Sequence, residues 1–392
     1  MRSFDADLEA ELAALAAVGR RRACPEVMGS SRTGVLVSGA PRLSFCSNDY
    51  LGLAADPALA TAAASAAARD GFGASASRLV SGDLPAHRQL EEALARFFGR
   101  SAALVFPSGY QTNIGVLTAL AGPDDVIVSD ALNHASIIDG CRLSRARIAV
   151  YPHGDPDAAA RLLDQARTAR RRLLVTESLF SMNGDAAPLT RLAEAAQSQD
   201  AVFVVDEAHA IGVLGPRGRG LCAAVDVVPD VLIGTLGKAL ATAGGFAAGS
   251  QPLRDLLVNR ARSFIFTTAL PPPVAAAALA ALEIVSGPEG DRRRALLRAH
   301  ADRLAPQLAT LQPSGLEIPP GTVAGSPIHP FVVGTDAAAV ALSAALAHRG
   351  IFVPAIRPPT VPVGSARLRI TLSASHEPAD IDRLVLALRP PE

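Results

Sequence analysis

The sequence contains almost no lysine. Its 392 residues include 37 basic side chains, of which only Lys238 is a lysine. The 37 acidic residues balance this total, so the formal net charge is zero. Tryptophan is absent and no basic tract is interleaved with aromatic residues, which argues against nucleic acid as a partner. At 49% hydrophobic and 19% charged residues, the composition is that of a folded chain rather than a disordered one.

Long apolar runs and closely spaced cysteines are also missing. The most apolar segment, residues 270–285, holds three prolines and Glu283, so we expect a helix of a soluble protein and no membrane span. Four scattered cysteines without a CxxC pair are typical of a reducing compartment: Cys24, Cys46, Cys141 and Cys222. The N-terminal segment carries acids on an apolar helical pattern, unlike a signal or transit peptide. These features predict a cytoplasmic protein.

Apolar runs alternate with helical patterns along most of the chain. An amphipathic helix with leucines at three- and four-residue spacing opens the sequence and is expected to end at Gly19. The predicted strands then lie at residues 102–106, 126–129, 148–150, 173–176, 202–205 and 231–233. Helical patterns separate them, one of them at residues 157–170. This alternation predicts an α/β fold with a mostly parallel sheet flanked by helices.

The order of elements changes in the last quarter of the chain. Strands are predicted at residues 328–333, 352–354 and 368–371, with helices at 337–349 and 378–388. This order is typical of a smaller α+β domain with an antiparallel sheet. We therefore divide the chain into an N-terminal helix and extended segment (residues 1–48), a large α/β domain (49–285) and a small C-terminal α+β domain (286–392).

Polar residues follow five of the predicted strands, and ligands of open parallel sheets bind beyond the carboxyl ends of the strands. These residues are Ser108, Gly109 and Tyr110; Asp130 and His134; Glu177 and Ser181; Asp206 and His209; and Thr235 and Lys238. The turn at Ser108 opens a helix whose free N–H groups can hold a phosphate, although such a turn can equally be a simple helix cap. Asp206 follows apolar residues and needs a cationic partner if it is not itself a cap.

Other readings of the same residues are weaker. Asp206 and His209 could ligate a metal ion, but no third ligand stands at a supporting spacing, so no metal is expected. Lys238 is followed by Ala239, and position 232 is leucine, so no Walker A loop is present. The strand ends also lack the GxSxG motif of serine hydrolases.

After these exclusions, the remaining interpretation is that Lys238 acts through its primary amine. A lysine forms a Schiff base with a carbonyl group, whereas the guanidinium of arginine does not. A lysine near a phosphate-type turn, a buried aspartate and two histidines suits pyridoxal 5′-phosphate, whose ring nitrogen an aspartate keeps protonated.

The motifs resemble the α-oxoamine synthases, a family of fold-type I enzymes that depend on pyridoxal phosphate. The segments that carry the resemblance are Asp206-Glu207-Ala208-His209, Thr235-Leu236-Gly237-Lys238, Ser108-Gly109-Tyr110 and Asn133-His134-Ala135-Ser136, in family order between about Arg20 and His376. Residues 206–215 and 356–362 are most similar to the member of the family that joins L-alanine to a pimeloyl thioester in biotin synthesis. The resemblance thus implies an acyltransferase that catalyses a decarboxylative condensation.

The resemblance also implies roles for individual residues. Lys238 would carry the cofactor as a Schiff base and, once released, remove the Cα proton. Asp206 would pair with the ring nitrogen, His209 with the phenolic oxygen, and His134 would stack on the ring. The remaining cofactor residues implied are Ser108, Gly109, Tyr110, Glu177, Ser181 and Thr235, with Thr267 and Thr268 reaching the phosphate of the partner subunit in a homodimer with shared active sites.

For the substrates, the resemblance implies that Arg357 holds the amino-acid carboxylate with Thr360 nearby. Either Arg20 or Arg21 would meet the acyl chain, and Asn48 and His134 would contact substrate. Sister reactions, in which glycine condenses with acetyl- or succinyl-CoA, share the same cofactor residues and stay open. The choice between coenzyme A and acyl carrier protein as the thiol carrier also stays open. A further alternative is that the chain binds the cofactor without catalysing a reaction.

Overall fold

The N-terminal part of the chain is a helix followed by short strands. In the computed structural model, which describes residues 3–29, 33–313, 316 and 322–389, helix α1 spans Phe4–Ala17 and ends before Gly19. The hydroxyl of Ser3 caps it by accepting from the N–H of Ala6 at 3.2 Å. None of its residues is buried, so the predicted apolar stripe of this helix is exposed. The ends of the predicted segments 1–48 and 286–392 lie outside the described residues.

Three strands and two helices lead from this segment to the main sheet. The strands are β1 (Val27–Met28), β2 (Gly34–Val37) and β3 (Ala40–Ser44), paired antiparallel in that order. The helices are α2 (Pro57–Asp70) and α3 (Pro85–Phe98), and each starts with a proline, which has no N–H to leave unpaired at a helix start.

Seven strands form the central sheet. They are β4 (Ala102–Phe106), β5 (Val126–Asp130), β6 (Arg147–Tyr151), β7 (Arg172–Glu177), β8 (Val202–Asp206), β9 (Val231–Thr235) and β10 (Gly245–Gly249), in the spatial order β4-β10-β9-β8-β7-β5-β6. All pairs among β5 to β9 are parallel, so the predicted mostly parallel sheet is confirmed.

Strand β10 was not among the predicted strands. Its sequence is rich in glycine and alanine, which have weak strand propensity and give no apolar, β-branched run. It lies between β4 and β9 and is antiparallel to both. Because β10 reverses the direction twice, β4 runs parallel to β9, and the carboxyl ends of β4, β5, β7, β8 and β9 lie at one edge of the sheet.

Helices cover both faces of this sheet. They are α4 (Gly109–Leu120), α5 (Ala135–Ser144), α6 (Pro156–Gln165), α7 (Leu189–Ser198), α8 (Leu221–Ala224), α9 (Gln251–Arg260) and α10 (Arg262–Ile265). The prediction that a helix continues to residue 170 was wrong. Arg170 instead donates its N–H to the carbonyl of Asp124 and its guanidinium to the carboxylate of Asp125, which ties this segment to the start of β5.

The core is divided between the two faces of the sheet. Successive strand residues point to opposite faces, so Leu173 packs in one apolar cluster and Leu174 in the other. Val204 and Val205 are divided between the clusters in the same way, and all four side chains are fully buried. This double burial explains why the strands read as continuous apolar runs.

The described residues of the C-terminal part form four helices and four strands. They are α11 (Pro272–Ser286), α12 (Pro288–Leu311), β11 (Ile328–Gly334), α13 (Asp336–His348), β12 (Ile351–Phe352), β13 (Ala355–Ile356), β14 (Ala366–Thr371) and α14 (Pro378–Leu388). Strands β11, β14 and β13 form the expected antiparallel sheet. Within the described residues, no helix is long and apolar enough to cross a membrane.

The strand predicted at residues 352–354 was wrong. Two short strands lie there instead: β12 pairs in parallel with β3, and β13 joins the C-terminal sheet. Pro354, which has no N–H to donate to a ladder, lies between them. The N-terminal hairpin and the C-terminal part therefore share a four-stranded sheet. The division of the chain after residues 48 and 285 stays a prediction.

Candidate active site

The carboxyl ends of the central strands surround a cavity of 170 Å³. Eleven residues line it: Gly109, Tyr110, Asn113, His134, Ser136, Glu177, Asp206, Ala208, His209, Thr235 and Lys238. Eight of them were predicted from the sequence as cofactor residues. The topology accounts for this, because five parallel strand ends bring residues far apart in sequence to one edge.

Lys238 lies just beyond β9 and is half-buried. Its Nζ is 2.8 Å from Nε2 of His209. Desolvation lowers the pKa of the Lys238 amine to about 8, although the negative charges of Asp206 and Glu177 act in the opposite direction. A considerable fraction of the amine is therefore neutral near pH 7.5, as a nucleophilic or proton-accepting lysine requires.

Asp206 ends strand β8 and is buried. Its Oδ1 accepts from the N–H of Ala208 at 2.9 Å, and its Oδ2 accepts from Nδ2 of Asn113 at 2.8 Å. These two bonds fix the plane of the carboxylate at the wall of the cavity. The arrangement leaves lone pairs on both oxygens for a cationic N–H group inside the cavity.

Glu177 is directly opposite Asp206, because the two residues are paired in the register of β7 and β8. Its side chain is buried, and its Oε1 has no hydrogen-bond partner within the described part of the chain. Burial, and secondly the charge of Asp206, raise the pKa of Glu177 to about 8. The protonated form of Glu177 is therefore favoured at neutral pH.

The turn before α4 has the form of an anion site. Ser108 caps the helix by accepting from the N–H of Gln111 at 3.1 Å, and the first helical N–H groups are those of Gly109 and Tyr110. Gly109 is pressed against β10: a Cβ on Gly245 would lie only 2.6 Å from its Cα. Thr235 lies beside the same turn, with its Oγ1 3.3 Å from where a Cβ of Gly109 would be.

His134 also lines this cavity and caps helix α5. Its Nδ1 accepts from the N–H of Ser136 at 3.2 Å and contacts the Ser136 hydroxyl at 2.8 Å. Nδ1 is therefore engaged by the cap, and the exposed ring is held at the cavity wall. A planar ligand ring could stack on it there.

Four residues of this region were missed by the sequence analysis: Tyr50, Asn113, Ser136 and Arg369. Asn113 follows Gly109 by one helical turn, so helix periodicity could have placed it on the same face. Tyr50 lies in a segment from which only Asn48 was selected. Arg369 is one of many arginines, and nothing in its strand sequence distinguishes it.

Arg369 is buried and is held in place by three contacts. Its guanidinium donates to Oδ1 of Asn48 at 3.1 Å, to the hydroxyl of Tyr50 at 3.2 Å and to the carbonyl of Ser181. Ser181 thus contributes its backbone to this region. The hydroxyl of Tyr50 in turn lies 2.8 Å from Nδ1 of His209, which connects Arg369 to the cavity.

The other predicted substrate residues lie away from the cavity lining. Arg357 donates to the carbonyl of Gly19, and Arg20 forms an ion pair with Asp336 at 3.2 Å, so the two segments that carry these arginines are neighbours. Arg21 and Thr360 are exposed.

Thr267 and Thr268 also lie outside the lining of the cavity. Thr267 is half-buried and Thr268 is exposed on the chain described here. The roles assigned to individual residues from the sequence stay predictions.

Comparison with known proteins identifies the family. The model of the family described as "Aminotransferase class I and II" matches residues 40–388. The chain is 53% identical over 381 residues to an 8-amino-7-oxononanoate synthase from Anaeromyxobacter dehalogenans, covering 97% of this chain and 94% of the relative.

Solved structures share the whole fold. Serine palmitoyltransferase from S. paucimobilis, with a bound PLP–myriocin aldimine, has a TM-score of 0.91 at 30% identity and covers 99% of this chain and 98% of its own. An 8-amino-7-oxononanoate synthase from Francisella tularensis has a TM-score of 0.76 at 27% identity, covering 88% and 96%. The predicted fold-type I architecture and α-oxoamine synthase relationship are confirmed. The chain belongs to the class I and II aminotransferase family and, within it, to the 8-amino-7-oxononanoate synthases.

Proposed function

We propose that the chain condenses L-alanine with a pimeloyl thioester, with loss of carbon dioxide, to give 8-amino-7-oxononanoate for biotin synthesis. The observation that carries this proposal is the position of the only lysine, whose amine enters a cavity walled by Asp206, Glu177 and His209. The relatives that bear the name of this activity match almost the whole chain.

The residues of the cavity fit pyridoxal 5′-phosphate. Its phosphate matches the helix N-terminus at Gly109 and the hydroxyl of Thr235, and its aldehyde matches the amine of Lys238. Its ring nitrogen matches the buried carboxylate of Asp206, which is already oriented by Asn113. When bound, this cofactor serves as an electron sink for a carbanion at the substrate Cα.

The proton transfers are assigned to the chain's own residues. Asp206 keeps a proton on the ring nitrogen, because its buried negative charge favours the cationic form of that nitrogen. Lys238 takes the proton from Cα of alanine and returns it after carbon dioxide has left; a base positioned in this way contributes about 10²–10⁴-fold. The pKa of about 8 suits both directions of transfer near neutral pH.

Arg369, whose guanidinium donates to Oδ1 of Asn48, is a second candidate for binding the amino-acid carboxylate. Arg369 is buried and donates a hydrogen bond to the hydroxyl of Tyr50. Its planar guanidinium can bind a carboxylate through two N–H groups. Arg357, the residue predicted for this role, interacts with the backbone of Gly19 instead. We therefore propose Arg369, as an alternative to Arg357, as the arginine that binds the carboxylate of the amino acid.

We further propose a cytoplasmic homodimer in which Thr267 and Thr268 reach the phosphate site of the partner subunit. Thr268 and the neighbouring Phe266 are exposed on the single chain, with 69% of the phenylalanine accessible. An exposed aromatic residue near an exposed threonine is the composition expected of an interface.

The substrate pair tests the function directly. Purified protein is assayed with L-alanine and pimeloyl-CoA or pimeloyl-acyl carrier protein, and with glycine and acetyl- or succinyl-CoA. We expect kcat/KM for the alanine and pimeloyl pair to be higher by at least about tenfold, the discrimination that one methylene-sized contact provides. Preference for a glycine pair would indicate a sister activity, and no turnover with any pair would indicate a cofactor-binding protein without catalysis.

The two candidate carboxylate arginines can be separated by matched substitutions. Arg369→Lys keeps the charge but loses the bidentate geometry, so we expect KM for alanine to rise about 10- to 100-fold with a much smaller change in KM for the thioester. Arg357→Lys is the control and should change both constants less than about threefold. The opposite ranking in steady-state kinetics would restore Arg357 as the carboxylate residue.

Subunit sharing can be tested by mixing two defective variants. One chain carries Lys238→Arg, and the other carries Thr267→Val with Thr268→Val. If the threonines act across the interface, a mixed dimer contains one intact site, and subunit exchange at equal amounts should restore about a quarter of the wild-type activity. Recovery no greater than the sum of the separate variants would show that the threonines serve their own chain.

A further inference from the structure

A continuous chain of hydrogen bonds connects Lys238 to Arg369. Nζ of Lys238 is 2.8 Å from Nε2 of His209, and Nδ1 of His209 is 2.8 Å from the hydroxyl of Tyr50. That hydroxyl is also 3.0 Å from Oδ1 of Asn48 and 3.2 Å from Nη2 of Arg369. Tyr50 has no exposed surface and His209 is 4% exposed, so water does not substitute for these partners.

The two ends of this chain have fixed polarity. Arg369 can only donate, and its second nitrogen donates to Oδ1 of Asn48 at 3.1 Å, so Asn48 presents an acceptor to Tyr50. Burial, and then the positive charges of Lys238, Arg369 and His134, keep the pKa of His209 well below its ordinary value. The ring is therefore neutral, with one nitrogen that donates and one that accepts.

Two arrangements that give each nitrogen of His209 a partner differ in the tautomer of the ring. When Lys238 is an ammonium, it donates to Nε2 of His209, Nδ1–H donates to Tyr50, and Tyr50 donates to Asn48. When Lys238 is a neutral amine, Nε2–H donates to it, and the hydroxyl of Tyr50 turns to donate to Nδ1. From the first arrangement to the second, the amine of Lys238 loses one of its three hydrogens as a proton to water. The ring of His209 and the hydroxyl of Tyr50 keep one hydrogen each.

We propose that Tyr50 is a positioning residue for Lys238: its hydroxyl lets the tautomer of His209 follow the charge of the Lys238 amine. The hydroxyl of Tyr50 accepts a hydrogen bond as readily as it donates one. Neither charge state of the Lys238 amine therefore leaves Nδ1 of His209 unpaired, whereas a group that could only donate or only accept would leave it unpaired in one of the two states. The proposal deepens the proposed function. It rests on that function only in assuming that catalysis uses the amine of Lys238 to transfer a proton.

Removal of the hydroxyl should disfavour the ammonium. In Tyr50→Phe, Nδ1–H would face a phenyl ring, and Nε2 would lose the basicity that a donated Nδ1–H gives it, so the charge-assisted bond from Lys238 weakens. The charged and titratable groups that act on Lys238, namely Asp206, Glu177 and Arg369, stay in place. We therefore expect the pKa of Lys238 to fall.

The single lysine makes this measurable without any assay of turnover. The full-length chain, freed of cofactor with hydroxylamine, is labelled with an amine reagent between pH 6 and pH 10, and the peptide that contains Lys238 is quantified by mass spectrometry. We expect an apparent pKa of about 8 for the wild type. In Tyr50→Phe, a pKa lower by about 0.5–1 would raise the labelling rate at pH 7 about three- to fivefold.

Tyr151→Phe is the matched control. Tyr151 is as fully buried as Tyr50, and its hydroxyl has no hydrogen-bond partner in the described part of the chain. It does not line the cavity, so its labelling curve should superimpose on that of the wild type. The proposal is overturned if the Tyr50→Phe curve also superimposes, or if both variants shift alike.

A measurement on the unaltered chain covers the case in which Tyr50→Phe does not fold. With ¹⁵N-labelled histidine, and His209→Asn to assign the signals, we expect the His209 proton on Nδ1 near pH 6 and on Nε2 near pH 10. The same tautomer at both pH values would overturn the proposal. A chain that shows the switch but condenses no alanine would support the hydrogen-bond chain while refuting the proposed function.

Discussion

The site depends on one electrostatic constraint: the amine of Lys238 lies in a cavity lined by two buried carboxyl groups, those of Asp206 and Glu177. Desolvation alone would drive Lys238 to its neutral form, and the charge of Asp206 opposes this, so the pKa settles near 8. Burial, and secondly the neighbouring Asp206, raise the pKa of Glu177 to about 8 as well. Near pH 7 the amine of Lys238 and the carboxyl group of Glu177 are therefore both mostly protonated.

The sheet imposes this arrangement. Parallel register places Glu177 directly beside Asp206, which neither residue could achieve from sequence proximity. The antiparallel strand β10 brings the backbone of Gly245 against Gly109, and so presses the anion-binding turn against the sheet next to Thr235. A bulkier residue at Gly245 would separate parts of the site, because its Cβ would lie 2.6 Å from the Cα of Gly109. The C-terminal sheet adds the buried guanidinium of Arg369 from the other side.

Much of this was predictable from the sequence, for a physical reason. Strands buried on both faces give unmistakable apolar runs, and the residue that follows each run is placed at the ligand edge by topology alone, as Asp206 was. The glycine-rich β10 was missed because its pairing, and not its side chains, makes it a strand. Tyr50 and Arg369 were missed because their importance arises from contacts across more than 300 residues of sequence. A composition with so many arginines hides one that is functional.

The central claim is that Lys238 is the amine to which the cofactor attaches. The most direct test reduces the purified holoenzyme with borohydride and locates the added mass by peptide mapping. We expect one phosphopyridoxyl group per chain, on the peptide that contains Lys238, and none after Lys238→Arg. An unmodified Lys238 peptide, or the group on the N-terminal amine instead, would contradict it.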